Sequence, residues 1–445
     1  MKKKHLSLAK ALRLKITSPR HVAFVGAGGK TTALFQLARE IAPSIVTTTT
    51  HLGAWQAEEA DQHIILRKPE DVNQLENIAL SGVILVTGGE KDNRLQSLSD
   101  ENFAWLKNFA DYHSLSILIE ADGARQKPLK APKENEPVIP DFIDLVVVVA
   151  GLSGIEKVLN EKAVYNTEEF ANLGKIKEGE KIAPEHLERV LLDKNGGLKN
   201  IPAGAQKIAL LNQSDSPKLK AIGGKMARKL LTKFDSVITA TFKPSNFQTF
   251  EPSAAIILAA GSSSRFGKAK QLLDYHGKTF IHVVTEKALQ ADLFPVVVTG
   301  AEDKEIRKIL EDLPVKIVHN SNWREGQSTS IRVGVENLPK KIGSAIFLLA
   351  DQPQVTPTVM CALVEEHSKT LNPVIAPMVE DRRATPVLFD RVTFPALLGL
   401  KGDVGGRGIF SKFSPSYLLW LDSNLLLDVD TPEDYERLIG LLSQG

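Results

Sequence analysis

Short apolar runs rich in β-branched residues alternate along this chain with segments of helical periodicity. Such runs are typical of strands buried on both faces of a mainly parallel sheet, and their alternation with helices predicts α/β architecture. The predicted strands form two series, 21–25, 44–48, 83–86, 116–119, 145–150 and 207–211, then 254–258, 295–299, 316–319, 344–349, 374–376 and 424–428.

The two series indicate two domains. A chain of 445 residues is too long for one ordinary core. Residues 241–248 lack periodicity, and Glu251-Pro252-Ser253 leads into a new strand. We therefore predict an N-terminal domain over 1–243, a linker over 244–253 and a C-terminal domain over 254–445.

Composition narrows the function classes. The 55 basic and 53 acidic residues nearly cancel, so no bulk positive field favours nucleic acid as a partner. The single cysteine, Cys361, cannot form an intramolecular disulfide, which fits a reducing cytoplasm. The longest apolar run, 145–152, is far shorter than the roughly 20 residues that span a bilayer. We expect a cytoplasmic protein that acts on small molecules away from membranes.

The C-terminal domain opens with a strand that ends in small residues, Leu258-Ala259-Ala260-Gly261-Ser262, and the candidate cations Arg265 and Lys270 follow. Small residues let the backbone approach a bulky ligand, and successive N–H groups bind anions. Arg265 and Lys270 add positive charge where a triphosphate would lie. The alternative is an ordinary Gly/Ser turn flanked by solvated basic residues.

Acidic residues follow two later strands of the same domain. Asp351 stands at the end of 344–349, where ligands of open α/β sheets gather. Asp428 and Asp430 end the run 425–427. Asp351 and Asp430 are candidate Mg²⁺ ligands, since this ion takes one or two carboxylates together with phosphate oxygens and water. Helix capping is the alternative for Asp428 and Asp430, because 430–434 is also a good helix start.

The C-terminal domain as a whole resembles the molybdenum cofactor cytidylyltransferase (MocA-like) family. The motifs that carry the resemblance are 258–261 through 270–273, 350–353, 385–389, 402–407 and 428–434. The resemblance implies a Rossmann-like nucleotidyltransferase that moves CMP from CTP to the phosphate of Mo-molybdopterin and releases pyrophosphate. Catalysis would fall to Arg265, Lys270 and Asp351, and Thr385 with the 402–407 loop would face the pterin.

Two details bear on the substrates that this resemblance implies. Ala384-Thr385 stands where the family often has glycine and histidine. The Leu-Ala-Ala-Gly string favours cytidine, because the guanylyltransferase relatives typically have Leu-Ala-Gly-Gly there. Sugar-phosphate nucleotidyltransferases share the first motif and stay open as an alternative, against which Asp351-Gln352-Pro353 and the 402–407 loop argue.

The N-terminal domain has a second phosphate-binding candidate after its first strand. It consists of Gly26, Gly28, Gly29, Lys30 and Thr31. The segment resembles a P-loop, in which backbone N–H groups surround phosphate, the lysine reaches the outer phosphates and the hydroxyl meets Mg²⁺. Phe24 occupies the position of the first P-loop glycine. A glycine-rich turn between strand and helix is the alternative.

Two further strand ends support the P-loop interpretation. Glu120 and Asp122 end the predicted strand 116–119, as a second Mg²⁺-side motif would. Asn212-Gln213-Ser214-Asp215 resembles the guanine-reading motif of GTPases, with Gln213 in place of lysine. Asp215 is therefore a candidate base-binding residue, and a polar turn is its equal alternative. The bound nucleotide would be GTP or ATP.

Residues 22 to about 242 resemble the YqeC family, described as accessory to selenium-dependent molybdenum hydroxylases. The resemblance is carried by 26–32, 47–50, 120–125, 127–132 and 136–140. It implies a role in maturing a hydroxylase of the xanthine dehydrogenase type, whose apo form is the candidate partner. The domain is then either an NTPase or a nucleotide-gated module that delivers the cofactor. The basic residues of 125–130 are candidates for an anionic pterin or nucleotide, or they form a solvated loop.

Overall fold

The computed structural model describes residues 6–15, 18–261 and 269–440. The chain divides into two compact units, Met1–Phe250 and Glu251–Gly445. Each unit is built on a mixed sheet dominated by parallel pairs with helices between its strands, so the predicted α/β class is confirmed.

The first unit contains a nine-stranded sheet in the order β14-β13-β12-β10-β1-β8-β2-β5-β4. All its neighbours are parallel except β13 and β14. Smaller sheets are β3-β7-β6 and the pair β9-β11. The strands of this unit are β1 Val22–Gly26, β2 Ser44–Thr48, β3 His51–Gly53, β4 Gln62–Ile65, β5 Val83–Thr87, β6 Glu90–Lys91, β7 Arg94–Gln96, β8 Ser116–Glu120, β9 Leu129–Lys130, β10 Leu145–Gly151, β11 Val164–Tyr165, β12 Gln206–Asn212, β13 Ser236–Phe242 and β14 Ser245–Phe250.

The central strands of this sheet are buried along their length, as continuous apolar sequences require. Helices lie between the strands, and sequence signals define some of their starts: Ser216 caps α7 through the N–H of Leu219, and Pro217 follows it. The helices are α1 Leu8–Ala11, α2 Lys30–Glu40, α3 Asn73–Glu76, α4 Asp100–Tyr112, α5 Thr167–Gly174, α6 Pro184–Leu192 and α7 Pro217–Leu230.

The second unit contains a sheet in the order β19-β18-β15-β20-β23-β21-β22, with β24 also paired to β21. Strands β19, β18, β15 and β20 are parallel, whereas β23 runs antiparallel to β20 and to β21. The strands are β15 Ser253–Ala259, β16 Asp274–Tyr275, β17 Lys278–Thr279, β18 Phe294–Thr299, β19 Lys316–His319, β20 Ser344–Leu349, β21 Val374–Val379, β22 Arg382–Arg383, β23 Val387–Asp390 and β24 Ser416–Leu419.

The helices of the second unit complete its layers on the two faces of the sheet. They are α8 Phe280–Gln290, α9 Asp303–Ile309, α10 Gln327–Glu336, α11 Pro357–Thr370, α12 Phe394–Leu398 and α13 Pro432–Gly440. The longest helices of the described chain, α7 and α11, have 14 residues each. Across 6–15, 18–261 and 269–440, no helix has the length and apolar character needed to cross a membrane.

Two sequence expectations differ from the structure. The predicted linker over 244–253 contains strand β14, which pairs with β13 and buries Phe247 and Thr249, so the first unit extends to Phe250. The predicted strand over 424–428 is a 3₁₀ turn, Ser423–Leu426, which Asp422 caps through the N–H of Asn424. Within this turn Leu425 is buried and Leu426 is partly buried, so the apolar run packs against the domain without forming a strand.

Candidate functional site

The first candidate site lies where β1 turns into α2. Gly26, Gly28 and Gly29 take φ angles of 95°, 84° and 112°, which side chains rarely adopt. A Cβ atom on Gly26 would lie 2.2 Å from the carbonyl oxygen of Val149, and one on Gly28 would lie 2.3 Å from the amide nitrogen of Gly151. The loop therefore requires glycine for its backbone angles and for its close packing on the end of β10.

Lys30 begins α2 and is buried beneath this loop. Its Nζ donates to the carbonyl oxygen of Gly26 at 2.7 Å and lies 3.1 Å from Asp122 Oδ1 and 3.8 Å from Glu120 Oε1. Burial disfavours the ammonium form, but the carboxylates of Asp122 and Glu120 outweigh it and raise the pKa of Lys30. The lysine thus stays charged inside the protein.

Asp122 joins the glycine loop to a second buried lysine. Its carboxylate accepts from the N–H of Gly26 at 2.9 Å and lies 2.9 Å from the Nζ of Lys130. Lys130 also donates to the carbonyl oxygen of Gly123 and to the carboxylate of Glu136, each at 2.6 Å. Lysines and carboxylates therefore alternate through the interior behind the loop.

Glu120 ends β8 beside the start of α2. Thr31 Oγ1 donates to its carboxylate at 2.8 Å, and Thr48 Oγ1 donates to its main-chain oxygen at 2.9 Å. Burial raises the pKa of Glu120, and the charge of Lys30 only partly offsets that effect. The structure therefore brings the predicted residues Lys30, Thr31 and Glu120 together.

Asn212 begins the segment that resembles the guanine-reading motif, but the sequence analysis gave a role only to Asp215 of that segment. Asn212 Nδ2 donates to the carbonyl oxygen of Gly28 at 2.7 Å, and Gln213 accepts from the hydroxyl of Ser153 at 2.5 Å. Asp215, the predicted base-binding residue, is exposed. The signal for Asn212 is its position at the end of β12, whose partner β10 pairs with β1.

The second candidate site lies at the end of β15. The carbonyl oxygen of Leu258 accepts from the N–H of Ala350, and that of Gly261 accepts from Gln271 Nε2 at 2.9 Å. Ala259 and Ala260 are buried, whereas no atom of the described residues lies within 4 Å of a Cβ atom built on Gly261. Ser262 and Arg265, which the sequence also assigns to this loop, lie outside the described residues.

Lys270 and Asp430 meet at this site although 160 residues separate them. Lys270 Nζ donates to Asp430 Oδ1 at 2.6 Å. The lysine side chain is 11% exposed and that of Asp430 is 69% exposed. The pair thus links the phosphate-binding candidate to the metal-binding candidate.

Asp351 completes the cluster after β20. Burial raises its pKa, and the charge of Lys270 lowers it again only in part, while Asp428 and Asp430 raise it further. The three carboxylates and Lys270 therefore act on one another electrostatically. The carboxylates of Asp428 and Asp430 therefore add to burial in disfavouring the charged form of Asp351.

Two hydrogen bonds through Gln352 connect this cluster to Thr385. The hydroxyl of Thr385 donates to Gln352 Oε1 at 2.6 Å, and Gln352 Nε2 donates to Asp428 Oδ1 at 2.8 Å. Gln352 is buried. The sequence analysis placed Gln352 within a motif and assigned it no role, because its two partners come from distant parts of the chain.

The loop 402–407, predicted to face a pterin, packs against the start of α10. Asp403 Oδ1 accepts from the N–H of Gln327 at 3.1 Å. A Cβ atom on Gly326 would lie 2.6 Å from the Cα of Asp403, and one on Gly405 would lie 2.6 Å from Gln327 Oε1. This close packing fixes the loop, while its pterin-facing role stays a prediction.

Comparison with known proteins follows the same division into two units. The family model described as YqeC protein matches residues 22–168, and that described as MobA-like NTP transferase domain matches residues 255–416. The probable molybdenum cofactor guanylyltransferase of Bacillus cereus (strain ATCC 10987 / NRS 248) is 30% identical over 192 residues, which cover 41% of this chain and 93% of that protein.

Through its second unit the chain belongs to the MobA-like NTP transferase family, and its first unit matches the YqeC family model over residues 22–168. Both resemblances seen in the sequence are confirmed, and the second unit is a nucleotidyltransferase domain.

Two other relatives agree with this assignment. The uncharacterized protein YqeC of Escherichia coli (strain K12) is 27% identical over 203 residues, 44% of this chain and 76% of that protein. The molybdenum cofactor cytidylyltransferase of the same strain is 26% identical over 185 residues, 40% of this chain and 92% of that protein. Among solved structures, that of Rv0371c from Mycobacterium tuberculosis H37Rv is 26% identical and covers 42% of this chain and 98% of its own, with a TM-score of 0.39.

The NTP transferase domain offers donors that fit a divalent cation shared with a nucleotide. Within the described ranges, no three His, Cys, Asp or Glu side chains converge closely enough to hold a metal by themselves. Asp351 is a half-buried carboxylate whose pKa is raised by burial, and Asp430 lies near enough to raise that pKa further. Two such carboxylates match Mg²⁺, which completes its shell with phosphate oxygens and water.

Replacing Asp122 tests whether its carboxylate stabilises the two buried lysines of the YqeC domain. We expect Asp122→Asn to lower the free energy of unfolding by about 3–5 kcal/mol, because two buried lysines lose their shared carboxylate. The amide oxygen can still accept from Gly26, so the charge is the main loss. Hydrogen exchange at the amides of β1 and β8 measures the effect.

The matched control for this prediction is Asp141→Asn, since Asp141 is exposed in the same domain. We expect it to change the free energy of unfolding by less than about 0.5 kcal/mol. Equal protection in both variants would show that Asp122 does not hold the glycine loop.

Proposed function

We propose that this protein is a molybdenum cofactor cytidylyltransferase, which transfers CMP from CTP to the phosphate of Mo-molybdopterin. A phosphate oxygen of the pterin attacks the α-phosphorus of CTP as the bond to the β-phosphate oxygen breaks. The products are molybdopterin cytosine dinucleotide and pyrophosphate. The observation that carries the proposal is the cluster of Asp351, Asp430 and Lys270 beside the Gly261 turn.

The cluster supports this chemistry through charge. Lys270 lies at the nucleotide edge of the domain with Asp430 as its counterion. In this proposal Lys270 and Arg265 bind the triphosphate, and Asp351 and Asp430 bind Mg²⁺. The bound cation neutralises the phosphate charge that develops as pyrophosphate leaves. Positioning and neutralisation suffice, because no protein nucleophile is needed.

Cytidine as the base is part of the proposal. The Leu258-Ala259-Ala260-Gly261 string supports it, as does likeness to the Escherichia coli cytidylyltransferase. Likeness to a probable guanylyltransferase makes GTP the second candidate. Thr385 and the two hydrogen bonds through Gln352 to Asp428 favour an acceptor site on that side of the carboxylates, where the hydroxyl could orient the pterin phosphate.

For the YqeC domain we propose a nucleotide site at Gly26, Gly28 and Gly29 with Thr31 and Glu120 toward Mg²⁺. The glycine backbone and the hydroxyl–carboxylate pair support it. GTP or ATP is the proposed ligand, and Asp215 a proposed base contact. The domain then assists the transfer of finished cofactor to an apo molybdenum hydroxylase of the xanthine dehydrogenase type, in the cytoplasm.

The proposal is tested by pyrophosphate release from the purified chain with Mg²⁺ and Mo-molybdopterin, comparing CTP, GTP, ATP and UTP. We expect a strong preference for CTP. A preference for GTP would show that the base is guanine, and the proposed class of reaction would stand. Release with a sugar phosphate as acceptor, and none with molybdopterin, would contradict the proposed acceptor.

Removing the Asp351 carboxylate tests the metal assignment. We expect Asp351→Asn to slow Mg²⁺-dependent pyrophosphate release by at least about 10²–10³-fold, because a ligand that stabilises transition-state charge is lost while the shape is kept. Asp312→Asn is the control, as Asp312 is exposed and its side chain pairs with His282. A normal rate in Asp351→Asn with intact folding by circular dichroism would reject the assignment.

The raised pKa of Asp351 predicts an acid limb in the rate profile. Asp351 binds a cation only after losing its proton, so kcat/KM for Mg·CTP should rise with pH through that pKa of the free enzyme. Asp428→Asn removes one of the like charges that raise this pKa. We therefore expect its acid limb to lie at lower pH. An acid limb unmoved in Asp428→Asn would show that another group controls it.

A further inference from the structure

Two arginines and a histidine of the YqeC domain converge beside the turn that follows Asp122. Arg94 Nη1 donates to His51 Nε2 at 2.9 Å. The same imidazole packs against Gly123, where a Cβ atom would lie 3.8 Å from its Cε1. Arg125 follows two residues later and acts electrostatically on His51. We call His51, Arg94 and Arg125 the arginine cluster.

The arginine cluster carries uncompensated positive charge. Arg94 and Arg125 are both exposed, and neither forms an ion pair with a carboxylate in the part of the chain that the structure describes. The Arg125 guanidinium lies 5.8 Å from the centre of the Tyr165 ring. Glu136 also acts on His51, but its carboxylate is engaged by Lys130 at 2.6 Å. An anion would therefore be attracted here.

His51 is held neutral and can donate. Burial lowers its pKa, Arg94 and Arg125 lower it further, and Glu136 opposes them only in part. Because Arg94 donates to Nε2, the proton of the neutral ring is on Nδ1. An imidazole N–H and two guanidinium groups are thus available to oxygen acceptors, and guanidinium groups bind phosphate through paired hydrogen bonds.

The turn that carries Arg125 is fixed to the glycine loop at both ends. Asp122 accepts from the N–H of Gly26, and the carbonyl oxygen of Lys127 accepts from the N–H of Gly28 at 3.0 Å. Arg125 has a positive φ angle of 46°, so its backbone takes a conformation that costs on the order of 1 kcal/mol or more. The fixed turn gives Arg125 a defined place beside the glycine loop.

We propose that the arginine cluster is an oxyanion site that binds the phosphate group of a second ligand, distinct from a nucleotide in the glycine loop. The glycine loop has its own buried lysine, Lys30, whereas Arg94 and His51 approach the Asp122–Gly123 turn from the separate sheet β3-β7-β6. A phosphate here would lie next to the glycine loop. The YqeC domain would then hold two phosphorylated ligands at once.

The test uses the full chain and inorganic phosphate as the probe. The imidazole signals of the ten histidines are followed by NMR at constant ionic strength, and that of His51 is identified with His51→Gln. We expect phosphate to shift the His51 signal saturably and to raise its pKa, because an anion offsets the two arginines. Arg125→Gln should weaken phosphate binding by about tenfold or more, since a charge-assisted contact is lost.

The control is Arg39→Gln, because Arg39 is an exposed arginine of the same domain that pairs with Glu59. We expect it to leave phosphate binding unchanged. The proposal is overturned if His51 does not respond to phosphate, or if Arg125→Gln and Arg39→Gln behave alike.

A second arm separates this site from the glycine loop. The titration is repeated with saturating ATP or GTP and Mg²⁺, and we expect phosphate to bind as before. Displacement of phosphate by the nucleotide would overturn the assignment to a second ligand. If neither nucleotide binds the chain, the proposed nucleotide role of the glycine loop fails, while the response of His51 still decides the oxyanion site.

Discussion

The first unit depends on a single buried carboxylate, that of Asp122. It accepts from the N–H of Gly26 and lies within ion-pair distance of both Lys30 and Lys130. Removing any of these ions from water costs several kcal/mol, which is recovered only when every partner is present. The glycine loop, the start of α2 and the Asp122–Gly123 turn are therefore fixed together. A backbone fixed in this way is prepared to receive an anion without rearranging.

In the second unit, the charged residues at the corresponding strand ends are less completely paired. Its strands β15 and β20 also end side by side, yet the charges at that edge are partly exposed. Lys270 is shared between Asp430 in direct contact and Asp351 through space, and Asp428 adds a third negative charge. In the part of the chain that the structure describes, Lys270 is the one cation acting on Asp351 and two further carboxylates raise its pKa, so positive charge is in deficit there. A divalent cation removes that deficit, which agrees with the use of metal that we propose for this unit.

Sequence patterns predict the parts of both sites that are local, and they fail where partners are distant in the chain. Glycines after β1 and small residues after β15 follow from what a strand end needs to approach phosphate, and Asp351 follows from its place after β20. Asn212 reaches Gly28 only because the sheet order places β10 and β12 beyond β1. The two differences in the fold have a similar origin, since β14 is a short, largely polar edge strand and Asp422 caps a 3₁₀ turn where leucines suggest a strand. In both places tertiary packing overrides local propensity.

The ion pair between Lys270 and Asp430 constrains how a nucleotide can bind. Under our proposal, Lys270 contacts a phosphate and Asp430 a metal ion, so neither can keep the contact of 2.6 Å as its main interaction. Arrival of Mg·CTP supplies both replacements at once, a phosphate for the lysine and a cation for the carboxylate. The exchange leaves no charge unpaired, whereas free CTP or free Mg²⁺ would leave one partner without a counterion. Metal and nucleotide should therefore bind cooperatively.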